Sequence, residues 1–203
     1  HYFRQNFSQV TNPPIDSLRE NKVMSLKTRF GNLGNILDFD NLTEENIYVL
    51  DSPILTNSQF KKFKKFFSKK IKVIDCTFDI QNSLKDRIEA IREEAETAVR
   101  EGSTCIVLSD KNFSSEKASI PSILTVGAVH SHLVKHGLRG YCSLNVECSD
   151  AMDTHSFAIL IGVGATTVNP YLAIDSIYQR FEKKLFGKSD FETCISKFKK
   201  SID

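Results

Sequence analysis

Short apolar runs alternate with amphipathic stretches along most of this chain, and that alternation limits the possible folds more than any other feature. The runs 47–50, 71–75, 104–108, 141–147 and 166–169 have the length and residue types of strands. Polar turn residues close them, as Asp51, Ser52 and Pro53 do after the first and Ser109 with Asp110 after the third. Helical patterns fill the intervals at 58–68, 82–101, 119–136, 154–162 and 174–186, and Ser189 with Asp190 caps a last helix. In 82–101 the residues Leu84, Ile88, Ile91, Ala95 and Ala98 share one face, Glu96 and Arg100 form an exposed i,i+4 pair, and Gly102 stands where a helix ends. Pro121 and Gly137 bound 119–136 in the same way. Strands joined through helices pair in parallel, because the crossover returns the chain to the same end of the sheet. The pattern predicts an α/β fold, a mainly parallel sheet with alternating helices. Five strands do not complete an eight-stranded barrel, which leaves a doubly wound sheet and an incomplete (βα) barrel-like arrangement.

With 203 residues, 40% of them hydrophobic and 26% charged, the chain can build one globular core. The expected organisation is a single domain over 1–203, with an opening segment and helix over 1–45 and βα units over 46–203. The opening carries Asn12, Pro13 and Pro14, and a helix start at Asp16 with Leu18, Val23 and Leu26 behind it. The first residue is His1 and the last, Asp203, lies in a Lys-rich helical pattern, which suggests an excised domain. Lys and Arg number 27 against 25 for Asp and Glu, so no global field gathers nucleic acid or an anionic membrane. The longest apolar stretch, 157–168, is broken by Gly162 and Gly164 and is too short for a bilayer. Five cysteines, Cys76, Cys105, Cys142, Cys148 and Cys194, form no CxxC pair, which favours a reducing, cytoplasmic setting. The N-x-S/T triplets at Asn6, Asn41 and Asn112 are accordingly read as chance.

In parallel α/β folds functional loops follow the carboxyl ends of strands. Asp51, Asp79, Asp110 and Glu147 lie there, and four converging carboxylates could bind a divalent metal or act as acid and base; turn and cap roles are the simpler account. That cluster is the basis of one reading, a free-standing barrel-like metal-dependent hydrolase or lyase. Cys148, with Asp150, Asp153 and His155 nearby, has the residue types of an activated nucleophile, against a packing role like that of Cys105 and Cys142. His132 and His136 share a helix face, but Leu133 occupies the position where a zinc-protease motif needs Glu, so a solvated helix end is the expectation. Gly162 and Gly164 are followed by Thr167 where a dinucleotide fingerprint needs glycine, and they follow a helical stretch, so no such site is assigned. The basic segment from Lys61 to Lys72 places Phe60, Phe63 and Phe67 on a buried face. Its lysines form a solvated face or a dock for an acidic domain.

Several longer strings resemble one family, the central domain of the large chain of glutamate synthase, and they cover nearly the whole chain. They are Phe7 to Asp16 with Leu18-Arg19-Glu20 and Val23-Met24-Ser25-Leu26; Leu50-Asp51-Ser52-Pro53-Ile54-Leu55; Thr77-Phe78-Asp79-Ile80; and Val107-Leu108-Ser109-Asp110. The second half adds Ile120-Pro121, Val126-Gly127-Ala128-Val129-His130-Ser131-His132-Leu133, Gly137-Leu138-Arg139, Thr154-His155-Ser156-Phe157-Ala158, Leu160 to Ala165, and Asn169-Pro170-Tyr171-Leu172-Ala173. Ser17 departs from a common proline, and Ser131 and Ser156 depart from common histidines, none at a catalytic position. The resemblance implies a multidomain iron-sulfur flavoprotein that makes two glutamates from glutamine, 2-oxoglutarate and reductant. An amidotransferase domain releases ammonia and a barrel binding FMN and an iron-sulfur cluster uses it. The central domain implied is an incomplete barrel without catalytic, cofactor or metal residues of its own. Its implied partners are those neighbouring domains and, in some members, a small electron-donating subunit. Its implied task is to hold the two sites in register and wall part of the ammonia path, and the isolated piece should be inactive.

Overall fold

A computed structural model describes residues 18–19, 25–30 and 48–203. Asn12, Pro13, Pro14, Asp16, Val23, Asn6 and Asn41 lie outside the described residues. Of the helix expected behind Asp16, Leu18 and Arg19 are helical, whereas Leu26 sits in irregular chain leading into a strand.

That strand, β1 (Thr28–Phe30), pairs antiparallel with β2 (Tyr48–Leu50). The first predicted strand therefore does not join the parallel sheet. The chain just beyond it does: Ile54 bridges Val168 in parallel, with Leu55 N–H donating to the Val168 carbonyl at 2.9 Å and Val168 N–H to the Pro53 carbonyl at 2.9 Å. Pro53 has no N–H, so it can serve only at an edge, and the contact extends no further as a ladder.

The parallel sheet has four strands, β3 (Ile71–Asp75), β5 (Cys105–Ser109), β7 (Ser143–Glu147) and β8 (Thr167–Asn169), in the order β3-β5-β7-β8. Before, between and after them run α1 (Asn57–Phe66), α2 (Leu84–Arg100), α3 (Ser122–Lys135), α4 (Thr154–Gly162), α5 (Tyr171–Glu182) and α6 (Phe191–Ile202). A second antiparallel pair, β4 (Thr77–Asp79) with β6 (Lys117–Ser119), extends from the end of β3. The short strands β1, β4 and β6 carry no apolar run of the kind that marked β2 and β8, and Ser119 belongs to β6 rather than to a helix.

Alternation along the strands separates two apolar layers. Ile74, Ile106, Leu108, Leu144, Val146 and Val168 pack with Ile91 and Ala95 of α2, Val129 and Leu133 of α3, and Phe157 and Leu160 of α4. Cys105, Val107 and Leu55 face the other way, against Phe60, Phe63 and Phe67 at α1. Burying Phe63 or Phe157 completely contributes about 1.5–3 kcal/mol each. Helix α1, with Tyr48 and Leu50 of β2, thus packs on the face opposite α2, α3 and α4. Among the described residues no helix is long and apolar enough to cross a membrane.

Helix α5 begins three residues before its expected start at 174 and stops at Glu182, short of the expected 186. Lys184 adopts a left-handed φ of 56°, its N–H donates to the Phe181 carbonyl, and Leu185 N–H donates to the Arg180 carbonyl. This is the helix-ending arrangement usually formed by glycine, here built on a lysine.

Candidate functional site

Adjacent strand ends place two of the four proposed carboxylates together. Ser109 and Glu147 are register partners at the carboxyl ends of β5 and β7, and Asp110 and Ser149 continue those strands into their loops. Asp110 is buried, and its Oδ2 accepts from Ser149 N–H at 2.9 Å, from Ser149 Oγ at 2.6 Å and from Ser119 Oγ at 3.1 Å. Glu147 is also buried, accepting from Ser109 Oγ at 2.8 Å and Lys64 Nζ at 3.2 Å, with Lys111 Nζ 3.6 Å away. Two lysines thus face one buried carboxylate, the pairing that a buried charge needs, since an unpaired one is strongly unfavourable.

Tyr171, the first residue of α5, completes the cluster. Burial first, and then the Asp110 charge, raise its phenol pKa well above the ordinary range, so the hydroxyl stays protonated. Lys111 Nζ sits 5.4 Å from the centre of its ring. Asp110 Oδ1 and Tyr171 Oη are both buried with no hydrogen-bond partner, leaving one acceptor and one hydroxyl available at the same end of the sheet. Sequence reasoning missed Lys64, Lys111, Ser149 and Tyr171. The available signal was the polar alternation Ser143, Asn145, Glu147 in a strand that parallel sheets normally make apolar on both faces.

The other two carboxylates are engaged elsewhere. Asp51 is exposed, 3.6 Å from Lys27 Nζ, and Asp79, exposed at the end of β4, accepts from Asn82 Nδ2 at 3.0 Å. Asp79 lines a cleft of about 480 Å³ with Asp75, Asp86, Arg87 and Lys117, where the Arg87 guanidinium is held by the carbonyls of Asp75 and Thr77.

Cys148 is buried and burial pushes its thiol pKa up, while His155 is exposed and Asp150 accepts from Ser122 N–H and Oγ at the start of α3. The packing reading of this cysteine is the one the structure supports. Burial likewise pushes Cys76 and Cys105 up to about 12 and raises Cys142. Singly buried, protonated thiols do not fit an iron-sulfur cluster, which takes clustered thiolates.

The solvated-face reading of 61–72 needs one correction, because Lys64 turns inward to Glu147; Lys61, Lys62, Lys65, Lys69 and Lys70 are exposed. His132 and His136 do share a face near the end of α3, and Glu96 of α2 joins them, its Oε2 lying 2.6 Å from His132 Nε2 and 3.8 Å from His136 Nδ1. Gly164 ends α4 with a φ of 122° and lies so close to the His130 imidazole that an added Cβ would come within 2.3 Å of it. Its role is a close approach rather than phosphate binding. Arg139 secures that junction, donating to His130 Nδ1 at 3.2 Å, to the Gly164 carbonyl at 2.9 Å and to the Cys142 carbonyl at 2.6 Å.

A family profile described as "Glutamate synthase central domain" matches residues 1–203. The "Glutamate synthase [NADPH] large chain" of Azospirillum brasilense is 50% identical over 206 residues, covering 100% of this chain and 14% of that protein. The chloroplastic "Ferredoxin-dependent glutamate synthase" of Spinacia oleracea is 41% identical over 184 residues, covering 88% of this chain and 11% of the relative. "Glutamate synthase [NADH]" of Schizosaccharomyces pombe is 40% identical over 211 residues, 100% of this chain and 10% of the relative. The chain thus spans 10 to 14% of the length of these relatives. The chain belongs to the glutamate synthase central-domain family.

Proposed function

We propose that this chain is the non-catalytic connecting part of a glutamate synthase, forming one domain over 1–203. In this reading the whole protein converts glutamine, 2-oxoglutarate and reductant into two glutamates in the cytoplasm, using FMN and an iron-sulfur cluster held outside this chain. The present residues hold the amidotransferase and flavin domains in register and wall part of the path along which ammonia moves. Enclosure matters because ammonia released into water at neutral pH is protonated and loses its nucleophilic lone pair.

The observation that carries the proposal is the match over the full length of this chain to relatives named as glutamate synthases, of which it makes up 10 to 14%. The chemistry of the acidic cluster supports a rigid joint: Glu147 is paired with Lys64 and Lys111, and Tyr171, its phenol pKa raised by burial, keeps its proton near neutral pH.

Coupling in the full-length protein tests this. Lys64→Met should loosen the joint, so that glutamine hydrolysis continues while glutamate formed per glutamine consumed falls. An unchanged ratio together with a reduced hydrolysis rate would argue against the connecting role. For the isolated 203 residues, the expected result is no glutaminase activity, no yellow flavin and no iron, and stoichiometric flavin would overturn the proposal.

A further inference from the structure

We propose that Glu96, His132 and His136 form a binding site for a zinc-class transition-metal ion that clips α2 to α3. Three donors, one from each residue, lie within 4.8 Å of one another. The two histidines are one helical turn apart, which brings their ring centres to 4.3 Å at a 46° tilt, with Glu96 of α2 facing them across the α2–α3 seam. Glu96 reaches them from the opposite helix, and its orientation is fixed independently: Arg100 Nε donates to Oε1 at 2.8 Å, which leaves Oε2 for the imidazoles.

Donor spacing fits a tetrahedral ion. With bonds of about 2.0–2.1 Å, tetrahedral ligands sit roughly 3.3 Å apart, a value between the 2.6 Å and 3.8 Å that now separate Glu96 Oε2 from the two histidines. Each of these two separations differs from that spacing by less than about 1 Å. His136 Nδ1, the nitrogen 3.8 Å from Glu96 Oε2, also lies 2.8 Å from the His132 carbonyl, a contact that binding of the ion at this nitrogen replaces. Side-chain exposures of 16% for His132 and 35% for His136 leave the fourth position open to water. Two imidazoles and one carboxylate select zinc, cobalt, nickel or copper over magnesium and calcium, which take oxygen ligands. The absence of Glu at position 133 separates this arrangement from a hydrolytic zinc motif, since no adjacent base is present to activate the bound water. The site is a structural clip, independent of the connecting role proposed above.

The test uses the full-length natural protein and reads the site residue by residue. Carbethoxylation of histidines is followed by tandem mass spectrometry with and without zinc chloride. Zinc should protect His132 and His136 saturably, chelation should reverse the protection, magnesium chloride should give none, and His130 on the same helix should be unaffected. In Glu96→Gln and in His136→Gln the zinc needed to protect His132 should rise by about tenfold or more. Both substitutions lie at partly exposed positions, and diffraction at the zinc edge from soaked wild-type crystals gives a second reading, with an anomalous peak between the two imidazoles. Protection that does not saturate, that magnesium reproduces, or that is unchanged in both variants overturns the proposal, as does a zinc-soaked crystal without that peak.

Discussion

Gly164 is the residue least able to carry a side chain. An alanine there would be forced to a φ of 122° with its Cβ inside the His130 ring, which Arg139 holds in place. Gly164→Ala is expected to destabilise the fold by about 2–5 kcal/mol, the strain and overpacking acting together. Gly127, inside α3 with open space at its Cβ position, is the opposite case. Gly127→Ala should stabilise by about 0.5–1 kcal/mol, because alanine lowers the entropy cost of the helix. Chemical denaturation of the two variants, or local hydrogen exchange in the full-length chain, checks both signs. Thiol chemistry gives a third expectation at this scale. Cys76, Cys105, Cys142 and Cys148 are buried and Cys194 is partly exposed, so iodoacetamide applied to the native protein should label Cys194 before the other four. Peptide mass spectrometry reads the order.

Helix ends show what sequence can and cannot reveal about elements. Gly102, Gly137 and Gly164 each have positive φ and end α2, α3 and α4, and in each case the following N–H reaches back to a carbonyl of the last turn: Ser103 to Ala98, Leu138 to Leu133, Ala165 to Leu160. Two of these terminators, Gly102 and Gly137, were legible because glycine is the residue that this geometry favours. The end of α5 was not, since Lys184 takes the same conformation without a glycine's signal. The run 47–50 was legible as extended chain but not as to partner: β2 pairs backward with β1, and only the hydrogen bonds of Pro53 and Leu55 reveal which segment lies beside β8. The candidate site was half legible. Asp110 and Glu147 stood out as acids at strand ends, whereas their lysine, serine and tyrosine partners come from other elements and could be joined only by the fold.

The start of two helices carries a pH expectation. Asp153 and Asp190 cap α4 and α6, and hydrogen bonds hold both carboxyls below their ordinary value of 3.8, chiefly from the Ser156 side chain at Asp153 and from the Thr193 backbone at Asp190. A folded pKa below the unfolded one means that the cap's contribution is complete above 3.8 and is lost as pH falls through the lower folded value. Amide protection in the first turns of α4 and α6, corrected for intrinsic exchange, should therefore drop in that acid range. Asp153→Asn should remove this dependence at α4 while preserving a cap, since asparagine accepts the same bond without titrating.

At the scale of the whole molecule, the sheet's edge joins distant parts of the sequence. Asn169 Nδ2 donates to the Leu55 carbonyl at 2.9 Å and lies 3.1 Å from Asn57 Oδ1, Asn57 Nδ2 donates to Asp175 at 3.1 Å, and Ser52 Oγ donates to Asp203 at 2.7 Å. Asn169→Ala removes the first of these and leaves a buried carbonyl unsatisfied, which should cost about 1–3 kcal/mol and raise exchange of the Leu55 and Val168 amides before others in the sheet. The same edge imposes a schedule on synthesis. Leu55 leaves the ribosome 114 residues ahead of Asn169, and at about 5–20 residues per second its place beside β8 does not exist for roughly 6 to 23 s. Until β5 and β8 have also emerged, the phenylalanine stripe of α1 has neither sheet nor edge strand to cover it. Ribosome-associated chaperones should hold the nascent chain in that interval, and slowing translation between 56 and 169 should lengthen their stay.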